Sequence, residues 1–354
     1  MSELRCPGCG RPQPLWSPAW RCECGSPFTW VSDAVPGPPE PGWRYASTLP
    51  PVARRNRIDL GETLTPIVAG DFTYKLELLA PTGSFKDRGS RVVTGFLREI
   101  GATRAVLDSS GNAGASMAAH LAAAGIEATV FVPAHASPGK LAQIAAYGAR
   151  LERVDGSRSE VSARAQAWAA HAGAPYASHL WSPFFVAGTR TFAFELHEQL
   201  GDAPRDIVVP VGSGSLLLGA HQGFAALRKA GLIGRPPRLF GVQTAACTPL
   251  ADAFEPRRGA PSSGTSIAEG IMVAEPPRER EVLAAVRESG GAFVRVEDWE
   301  IERAQAALAG HGLLVEPTAA AAEAGARRLL GSGTVAGGAA TVVALTGSGL
   351  KTLS

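Results

Sequence analysis

From about Leu60 onward, the sequence alternates short apolar runs with alanine-rich segments of helical period, and this alternation constrains the fold more than any other feature. Repeated strand and helix segments are typical of a parallel sheet covered by helices on both faces. The predicted strands are Tyr74–Leu79, Arg104–Leu107, Ala128–Val132, Arg150–Val154, Asp206–Val211, Leu239–Gln243 and Thr341–Leu345. The predicted helices include Ala113–Ala124, Pro138–Tyr147, Ser159–Ala172, Thr191–Leu200, Leu216–Ala230, Ile301–Ala309 and Thr318–Leu330. We therefore predict an α/β fold, and 354 residues favour two domains.

Three of the predicted strands run directly into loops of glycine and small polar residues. These loops are Ser109–Asn112, Gly212–Ser215 and Thr346–Gly349. In doubly wound sheets, ligands bind just beyond the carboxyl ends of the strands. One such loop would be weak evidence, because Gly-Ser turns are common, but three of them predict one shared pocket.

The composition argues against nucleic-acid and membrane partners. The chain has 34 basic and 32 acidic residues, a net charge of +2, whereas binding to either partner normally needs a concentrated basic face. The N-terminus lacks the apolar stretch of a signal peptide, and the apolar segments are interrupted before the ~20 residues that a membrane span needs. We expect a cytoplasmic protein.

Four of the five cysteines lie within the first 24 residues. Their C-x-x-C and C-x-C pairs, each followed by a glycine, are typical of a zinc ribbon in a cytosolic chain. A disulfide pair or a redox C-x-x-C is the alternative. The predicted ligands of a structural zinc ion are Cys6, Cys9, Cys22 and Cys24. We assign residues 1–30 to the ribbon and the proline-rich residues 31–58 to a linker.

The loop that begins at Gly212 is a candidate phosphate site. A glycine-rich turn followed by an apolar helix presents backbone N–H groups and the positive end of the helix dipole. A dinucleotide fingerprint would need a glycine where this chain has Leu217, and a nucleoside-triphosphate loop would need Gly-Lys-Ser/Thr, but Ala220 and His221 follow Gly219. A smaller phosphorylated cofactor fits this loop, although a tight strand–helix turn without a ligand remains the alternative.

Lys86 is the candidate nucleophile. It lies in Thr82-Gly83-Ser84-Phe85-Lys86-Asp87-Arg88-Gly89, which follows a strand and opens a helix. A cation at a helix N-terminus is disfavoured by the dipole, so the neutral amine needed for Schiff-base formation is favoured. The alternative is an ordinary surface lysine beside Asp87 and Arg88.

These segments together resemble a known family. Thr82–Gly89, Ser110–Asn112, Gly212–Gly219 and Thr346–Lys351 occur in the order found in tryptophan-synthase-β-like (fold type II) pyridoxal phosphate enzymes. Within that family, the chain most resembles threonine synthases and threonine/serine dehydratases. Leu60–Pro66 and Glu316–Ala321 are similar to further family motifs. An N-terminal zinc ribbon also precedes the catalytic region in threonine-synthase-like proteins.

The resemblance implies an architecture and a role for each motif. It implies two doubly wound three-layer α/β/α domains within residues 59–354, with a smaller subdomain over about 90–190 inserted in a larger one (59–89 and 191–354), and a homodimer. It implies that Lys86 is the catalytic residue and binds pyridoxal 5'-phosphate as an aldimine. The other implied cofactor ligands are Asn112, Gly212, Ser213, Gly214, Ser215, Leu216 and Thr346. The implied substrate ligands are Ser84, Ser109, Ser110, Gly111 and Arg190.

The sequence leaves the reaction open between related alternatives. A threonine synthase would convert O-phosphohomoserine and water to threonine and phosphate, but Phe185 and Ala187 replace an arginine and a glutamate of the family's substrate-phosphate motif. The block Ser266–Ile271 is more similar to the one in dehydratases, whereas Asp87 and the Thr346–Lys351 ending favour threonine synthase. Replacement on another activated amino acid and a non-catalytic binding protein with the same fold are further alternatives.

Overall fold

The computed structural model describes residues 3–62, 64–136, 138–256 and 264–351. Thr63, within the Leu60–Pro66 motif, lies outside the described residues. The chain forms two compact units. Unit 1 contains the residues before Leu64 and Lys86–Gly188, whereas unit 2 contains Leu64–Phe85 and the residues from Thr189 on.

The secondary structure alternates as the sequence predicts. The strands are β1 (Glu3–Arg5), β2 (Pro12–Gln13), β3 (Thr29–Val31), β4 (Ile67–Ala69), β5 (Phe72–Lys75), β6 (Arg104–Asp108), β7 (Glu127–Pro133), β8 (Arg150–Val154), β9 (Asp206–Pro210), β10 (Arg238–Thr244), β11 (Ala292–Val296) and β12 (Gly338–Ala344). The helices are α1 (Lys86–Glu99), α2 (Asn112–Ala123), α3 (Pro138–Ala146), α4 (Arg158–Ala172), α5 (Pro183–Thr189), α6 (Thr191–Leu200), α7 (Ser215–Lys229), α8 (Pro249–Phe254), α9 (Glu279–Ser289), α10 (Asp298–Gly310) and α11 (Pro317–Gly331). The predicted α/β class is confirmed.

Unit 2 is built on a six-stranded sheet in the order β11-β10-β9-β12-β5-β4. Its strands are parallel except for the pairing of β4 with β5. The central strands are almost entirely buried, which explains their continuous apolar sequences. Helix α11 packs closely on this sheet because Ala319–Ala322 are small and fully buried, and because a Cβ atom on Gly325 would lie 2.4 Å from Val242 Cγ2.

Unit 1 contains a parallel sheet in the order β6-β7-β8, extended by a parallel bridge between Val106 and Tyr176. Helices α2 and α4 both pack on this sheet, and α1 packs on α2. The core around α1 and α2 includes Val92, Leu97 and Leu121.

The N-terminal residues share the core of unit 1. Strands β1, β2 and β3 form a small antiparallel sheet, from which Leu4 and Trp30 enter the same apolar cluster as helix α1. Trp43 and Val52, in the segment assigned to a linker, are buried there too. Gly95 of α1 makes room for them, because a Cβ atom at this position would lie 3.0 Å from Val52. The segment therefore carries packed side chains.

One strand prediction needs a correction. The strand expected over Tyr74–Leu79 ends at Lys75, and Glu77–Leu79 forms a 3-10 helix. The turn is stabilised because the buried Glu77 carboxylate accepts a hydrogen bond from Thr65 Oγ1 (2.7 Å). Among the described helices, none combines the length and apolar character of a membrane span.

Candidate functional site

The sheet of unit 2 collects three of the predicted site segments at one edge. Strands β9, β12 and β5 are parallel neighbours, and the chain continues from their carboxyl ends into Gly212–Leu216, Thr346–Gly349 and, after the 3-10 turn, Ser84. Because parallel strands end at the same side of a sheet, these segments lie along a single edge. Two of the three predicted polar loops, Gly212–Ser215 and Thr346–Gly349, therefore lie at one edge of the unit 2 sheet, whereas Ser109–Asn112 belongs to unit 1.

The glycine turn after β9 is shaped for close approach to its backbone. Gly214 has a φ of 80° and directly precedes helix α7, whose N-terminus has no side-chain cap. A Cβ atom on Gly214 would lie 2.3 Å from Val282 Cγ2. The first N–H groups of a helix have no intrahelical acceptor, and together with the helix dipole they suit an anion. Thr189 Oγ1 donates to the Ser215 carbonyl (2.8 Å) and anchors the turn.

Two buried hydroxyl groups border the same sheet edge. The Oγ atom of Ser84 and the Oγ1 atom of Thr346 make no hydrogen bond to any described residue. The two segments are joined, since Ser84 forms an antiparallel bridge with Gly347, and the N–H of Phe85 donates to the Thr346 carbonyl (3.1 Å). Buried hydroxyls normally have partners, so this pair indicates a place where a polar ligand completes the hydrogen bonding.

Unit 1 places Lys86 at the first residue of helix α1. The neighbouring Asp87 is buried and accepts a hydrogen bond from Ser116 Oγ (2.6 Å), which also bonds Ser90 Oγ (2.7 Å). Burial lowers the pKa of His179 well below its ordinary value. His179 is therefore neutral near neutral pH. The hydrogen bonds of Ser116 hold the start of α1 against α2.

The Ser109–Asn112 loop follows strand β6 in unit 1. Asn112 begins helix α2, and the Gly111 N–H donates to Ser109 Oγ (3.3 Å). Gly114 makes room for this loop, since a Cβ atom there would lie 2.1 Å from the Ser109 carbonyl oxygen. Asp108, directly before the loop, is 1% exposed and accepts hydrogen bonds from Tyr176 and Ser162.

A buried ion pair lies near the start of helix α1 in unit 1. His120 Nε2 bonds Glu62 Oε1 (2.7 Å), and its Nδ1 bonds the Ser116 carbonyl (2.8 Å). Burial tends to raise the pKa of Glu62, but the hydrogen bond and charge of His120 outweigh burial and lower it to about 2. For His120, desolvation is outweighed by Glu62 and by the charge of Asp87, so its pKa is raised. The pair is therefore charged around pH 5 to 6.

The residues that replace the family's substrate-phosphate motif are buried. Phe185, in α5, is fully buried. Its ring lies against Gly89, where a Cβ atom would come within 2.5 Å of the ring. The ring centroids of Phe185 and His179 are 5.9 Å apart. Ala187 is 1% exposed. Arg190, in unit 2, is also buried, and its guanidinium carbon lies 5.8 Å from the Phe194 ring centroid.

The four N-terminal cysteines converge. Their Sγ atoms all lie within 4.8 Å of one another; Cys6 and Cys24 are 3.4 Å apart, and Cys9 and Cys22 are 3.7 Å apart. A tetrahedron with Zn–S bonds of ~2.3 Å separates its sulfurs by about 3.8 Å. The residues after the pairs, Gly10 and Gly25, have φ of 74° and 88°, and their N–H groups donate back to Cys6 and Cys22. This donor set fits a tetrahedral ion that favours thiolates.

Comparison with known protein families decides the class. The family model described as "Pyridoxal-phosphate dependent enzyme" matches residues 59–347. The chain belongs to this family. The predicted pyridoxal phosphate cofactor and lyase class are thereby confirmed.

Among relatives of known function, the chain is similar to threonine synthases. The chain is 34% identical to a threonine synthase from Mycobacterium leprae over 319 residues, which cover 87% of each chain. It is 31% identical to a threonine synthase from Methanocaldococcus jannaschii over 374 aligned positions, which cover 98% of this chain and 92% of the relative.

Solved structures support the fold of the enzyme. Maize serine racemase matches with a TM-score of 0.67 at 22% identity, covering 81% of this chain and 88% of the other. The processed form of threonine deaminase isoform 2 from Solanum lycopersicum matches with a TM-score of 0.66 at 20% identity, covering 90% of this chain and 84% of the other. These similarities extend across most of each chain and show a common fold.

Each unit, taken by itself, contains groups of the kind that pyridoxal phosphate requires. Unit 2 offers the glycine cradle for a phosphate group and the hydroxyl of Thr346, which lacks a partner among the described residues. Unit 1 offers a lysine at a helix start and the amide side chain of Asn112. Sequence reasoning missed the supporting residues Glu62, Asp108 and Ser116, because the side chains that they bond lie 26 to 68 positions away and leave no local pattern.

Proposed function

We propose that Lys86 binds pyridoxal phosphate covalently and that the backbone of Gly212–Leu216 holds its phosphate. Asn112 contacts the 3-hydroxyl group, and Thr346 faces the pyridine nitrogen. When bound, the cofactor withdraws electrons from the substrate Cα and so eases its deprotonation. The cradle that admits no Cβ at Gly214 and the buried hydroxyl of Thr346 support this assignment.

The chain's own groups carry out the binding and proton transfer. The Lys86 amine takes the proton from Cα and returns it at the end of the reaction. Ser84 and the Ser109–Gly111 loop bind the substrate carboxylate, and Arg190 adds a positive charge. A hydroxyl at Thr346, unlike a carboxylate, does not enforce protonation of the ring nitrogen, which suits elimination.

The reaction that we propose is that of threonine synthase, which converts O-phosphohomoserine and water to threonine and phosphate. The observation that carries this proposal is 34% identity to threonine synthase across 87% of both chains. In this reaction Cα and then Cβ lose protons, the γ-phosphate leaves, and water adds at Cβ.

Dehydration of threonine or serine is the second candidate. It is favoured by Phe185 and Ala187, which stand where the family has charged residues for the substrate phosphate and are buried. Dehydration requires only Cα deprotonation and loss of the β-hydroxyl group, so it needs no second phosphate site.

Parallel assays with the cofactor-loaded protein separate the two reactions. O-phosphohomoserine, threonine and serine are offered in turn, and phosphate, threonine, keto acid and ammonia are quantified. Equal amounts of phosphate and threonine from the first substrate support the proposal. Keto acid and ammonia from threonine or serine, with no turnover of O-phosphohomoserine, would replace it with dehydration.

We further propose that Cys6, Cys9, Cys22 and Cys24 bind one structural zinc ion. Four thiolates complete a tetrahedral sphere and leave no position for a reactive water. Metal analysis of the purified protein tests this: one zinc per chain is expected, and its loss in a Cys6→Ser variant. The cytoplasmic location and the homodimer remain predictions.

A further inference from the structure

Two tryptophans lie between the cysteine pairs, in the loop from Cys9 to Cys22. Trp20 stands edge-on to Tyr176, with ring centroids 5.2 Å apart, and to Trp181, at 4.9 Å. The guanidinium carbon of Arg21 lies 4.5 Å from the centroid of Trp20. Aromatic pairs in this geometry are attractive beyond the area they bury, so the loop is attached to the body of unit 1.

Tyr176 links this aromatic contact to strand β6. It forms a parallel bridge with Val106, and its hydroxyl group donates a hydrogen bond to Asp108. Burial and the Asp108 charge raise the pKa of Tyr176, so the hydroxyl stays protonated and remains a donor.

Asp108 in turn fixes the residues that follow it. Its carboxylate accepts hydrogen bonds from Ser162 and Tyr176 and pairs with Arg158 at 3.2 Å. Arg158 also donates to the Asp108 carbonyl oxygen (2.7 Å), which belongs to the peptide unit joining Asp108 to Ser109. The orientation of this peptide sets where the Ser109–Asn112 loop begins.

The second tryptophan makes a separate contact with unit 1. Trp16 stacks on Phe96 and Phe184 at 6.3 and 6.1 Å, and these two rings stack on each other at 4.2 Å. The inter-cysteine loop is thus anchored at two points, and the convergent thiols close its ends. Closing a loop at its ends lowers the entropic cost of holding the residues within it.

We propose that Trp20 is a positioning residue for the Ser109–Asn112 loop, acting through Tyr176 and Asp108, and that the cysteine cluster holds Trp20 in place. The ribbon, residues 1–30, then sets the geometry of substrate binding without contributing a group to the chemistry. This inference rests on the proposed function, which assigns the substrate carboxylate to this loop.

Two variants separate the steps of this connection. Trp20→Ala removes the aromatic support, whereas Tyr176→Phe keeps the ring and removes only the hydroxyl group that bonds Asp108. Because the two act in series, their effects are expected to be less than additive in the double variant. Trp168→Ala is the matched control, since Trp168 packs against the same apolar cluster as Trp20, but its described ring contact is with Phe131 (6.2 Å).

Amide hydrogen exchange of the cofactor-loaded protein is the readout that does not depend on activity. We expect Trp20→Ala and Tyr176→Phe each to speed exchange in residues 107–114 about tenfold, because local opening becomes easier. Removing the metal with a chelator should do the same. Unchanged exchange in Tyr176→Phe, or an equal increase in Trp168→Ala, would overturn the proposal, even if Trp20→Ala does not fold.

Kinetics test the consequence for substrate binding. We expect KM for the amino-acid substrate to rise about tenfold in Tyr176→Phe, with a smaller change in kcat and an unchanged cofactor spectrum. A fall in kcat at constant KM would contradict the positioning role. If no amino acid is turned over, the proposed function fails, and the exchange experiment still decides whether Trp20 supports the loop.

Discussion

The two described lysines that flank the 3-10 turn after β5 differ in their surroundings. Lys75 is fully buried and donates hydrogen bonds to Glu195 (2.7 Å), the Thr65 carbonyl (2.5 Å) and Gln199 (2.9 Å). These acceptors stabilise the ammonium form, which is not a nucleophile. Lys86 begins a helix and is half-buried, where the dipole disfavours a cation. Position in the fold therefore makes Lys86 the better candidate nucleophile.

Thr346 provides a prediction at the scale of one hydroxyl group. Thr346→Val keeps the volume of the side chain and removes a buried hydroxyl that has no partner among the described residues. We expect the free energy of unfolding of the cofactor-free protein to stay constant or to rise by up to about 1 kcal/mol. The dissociation constant of pyridoxal phosphate, measured by absorbance titration, should rise roughly tenfold.

Thr341→Val is the control for this prediction. Thr341 is equally buried, but its hydroxyl donates to the Ala336 carbonyl (2.5 Å). Its loss should lower the free energy of unfolding by about 1 kcal/mol and leave cofactor affinity unchanged. If Thr346→Val behaved like Thr341→Val in both measurements, the hydroxyl would have no role at the cofactor.

The Glu62–His120 pair predicts a pH dependence. The raised pKa of His120 gives stability that is complete below the ordinary value of 6.5 and is lost as pH rises through the raised value. The lowered pKa of Glu62 gives stability that is complete above 4.5 and is lost as pH falls toward about 2. Glu62→Gln should therefore cost most between pH 4.5 and 6.5, about 3 kcal/mol of unfolding free energy.

Denaturant titrations of wild type and Glu62→Gln from pH 4 to 9 measure this difference. Glu40→Gln is a suitable control, because Glu40 is paired with Arg54 and Arg57 at the surface and arginine does not titrate in this range. The loss of unfolding free energy caused by Glu40→Gln should diminish only toward acid pH. A Glu62→Gln effect that does not decline toward pH 9 would contradict the assignment of a charged His120.

At the scale of elements, the strands and helices around the sheets were predictable because their patterns are local. Predicted helix Thr191–Leu200 matches α6, and predicted strand Arg150–Val154 matches β8. Strand β11 was missed because four of its five residues are only half-buried and Arg295 interrupts its apolar residues. The packing of Trp16 and Trp20 was not predictable, since contacts between distant segments leave no periodic signal.

The glycine turn before α7 gives a prediction at this scale. Gly214→Ala introduces a side chain at a positive φ and against Val282, so we expect a loss of about 2 to 3 kcal/mol in unfolding free energy. The affinity for pyridoxal phosphate, measured by absorbance titration, should fall at least tenfold. The added methyl group displaces the turn, and small displacements of positioned groups have large effects.

Gly231→Ala is the matched variant. Gly231 also has a positive φ (73°), but a Cβ atom there would meet nothing within 4 Å. Gly231→Ala should lower the free energy of unfolding by about 1 kcal/mol and leave cofactor affinity unchanged. Equal losses of cofactor affinity in both variants would mean that general destabilisation, and not the shape of the cradle, explains the effect.

At the scale of the whole molecule, the chain enters each unit more than once. Leu64–Phe85 belongs to unit 2, and Lys86 begins the second segment of unit 1. The order of motifs along the sequence predicted the family because each motif is short and continuous. The contribution of the first 62 residues to the core of unit 1 was not predictable, since apolar residues such as Leu4 and Trp43 are isolated in a polar, proline-rich sequence.

The attachment of the cofactor to Lys86 can be tested directly, because the chain has only five lysines: Lys75, Lys86, Lys140, Lys229 and Lys351. The cofactor-loaded protein is reduced with borohydride, digested, and analysed by mass spectrometry to locate the phosphopyridoxyl group. We predict one group per chain, on the peptide that contains Lys86, and none in a Lys86→Arg variant. A group on another lysine, or equal labelling of the Lys86→Arg protein, would show that Lys86 does not hold the cofactor.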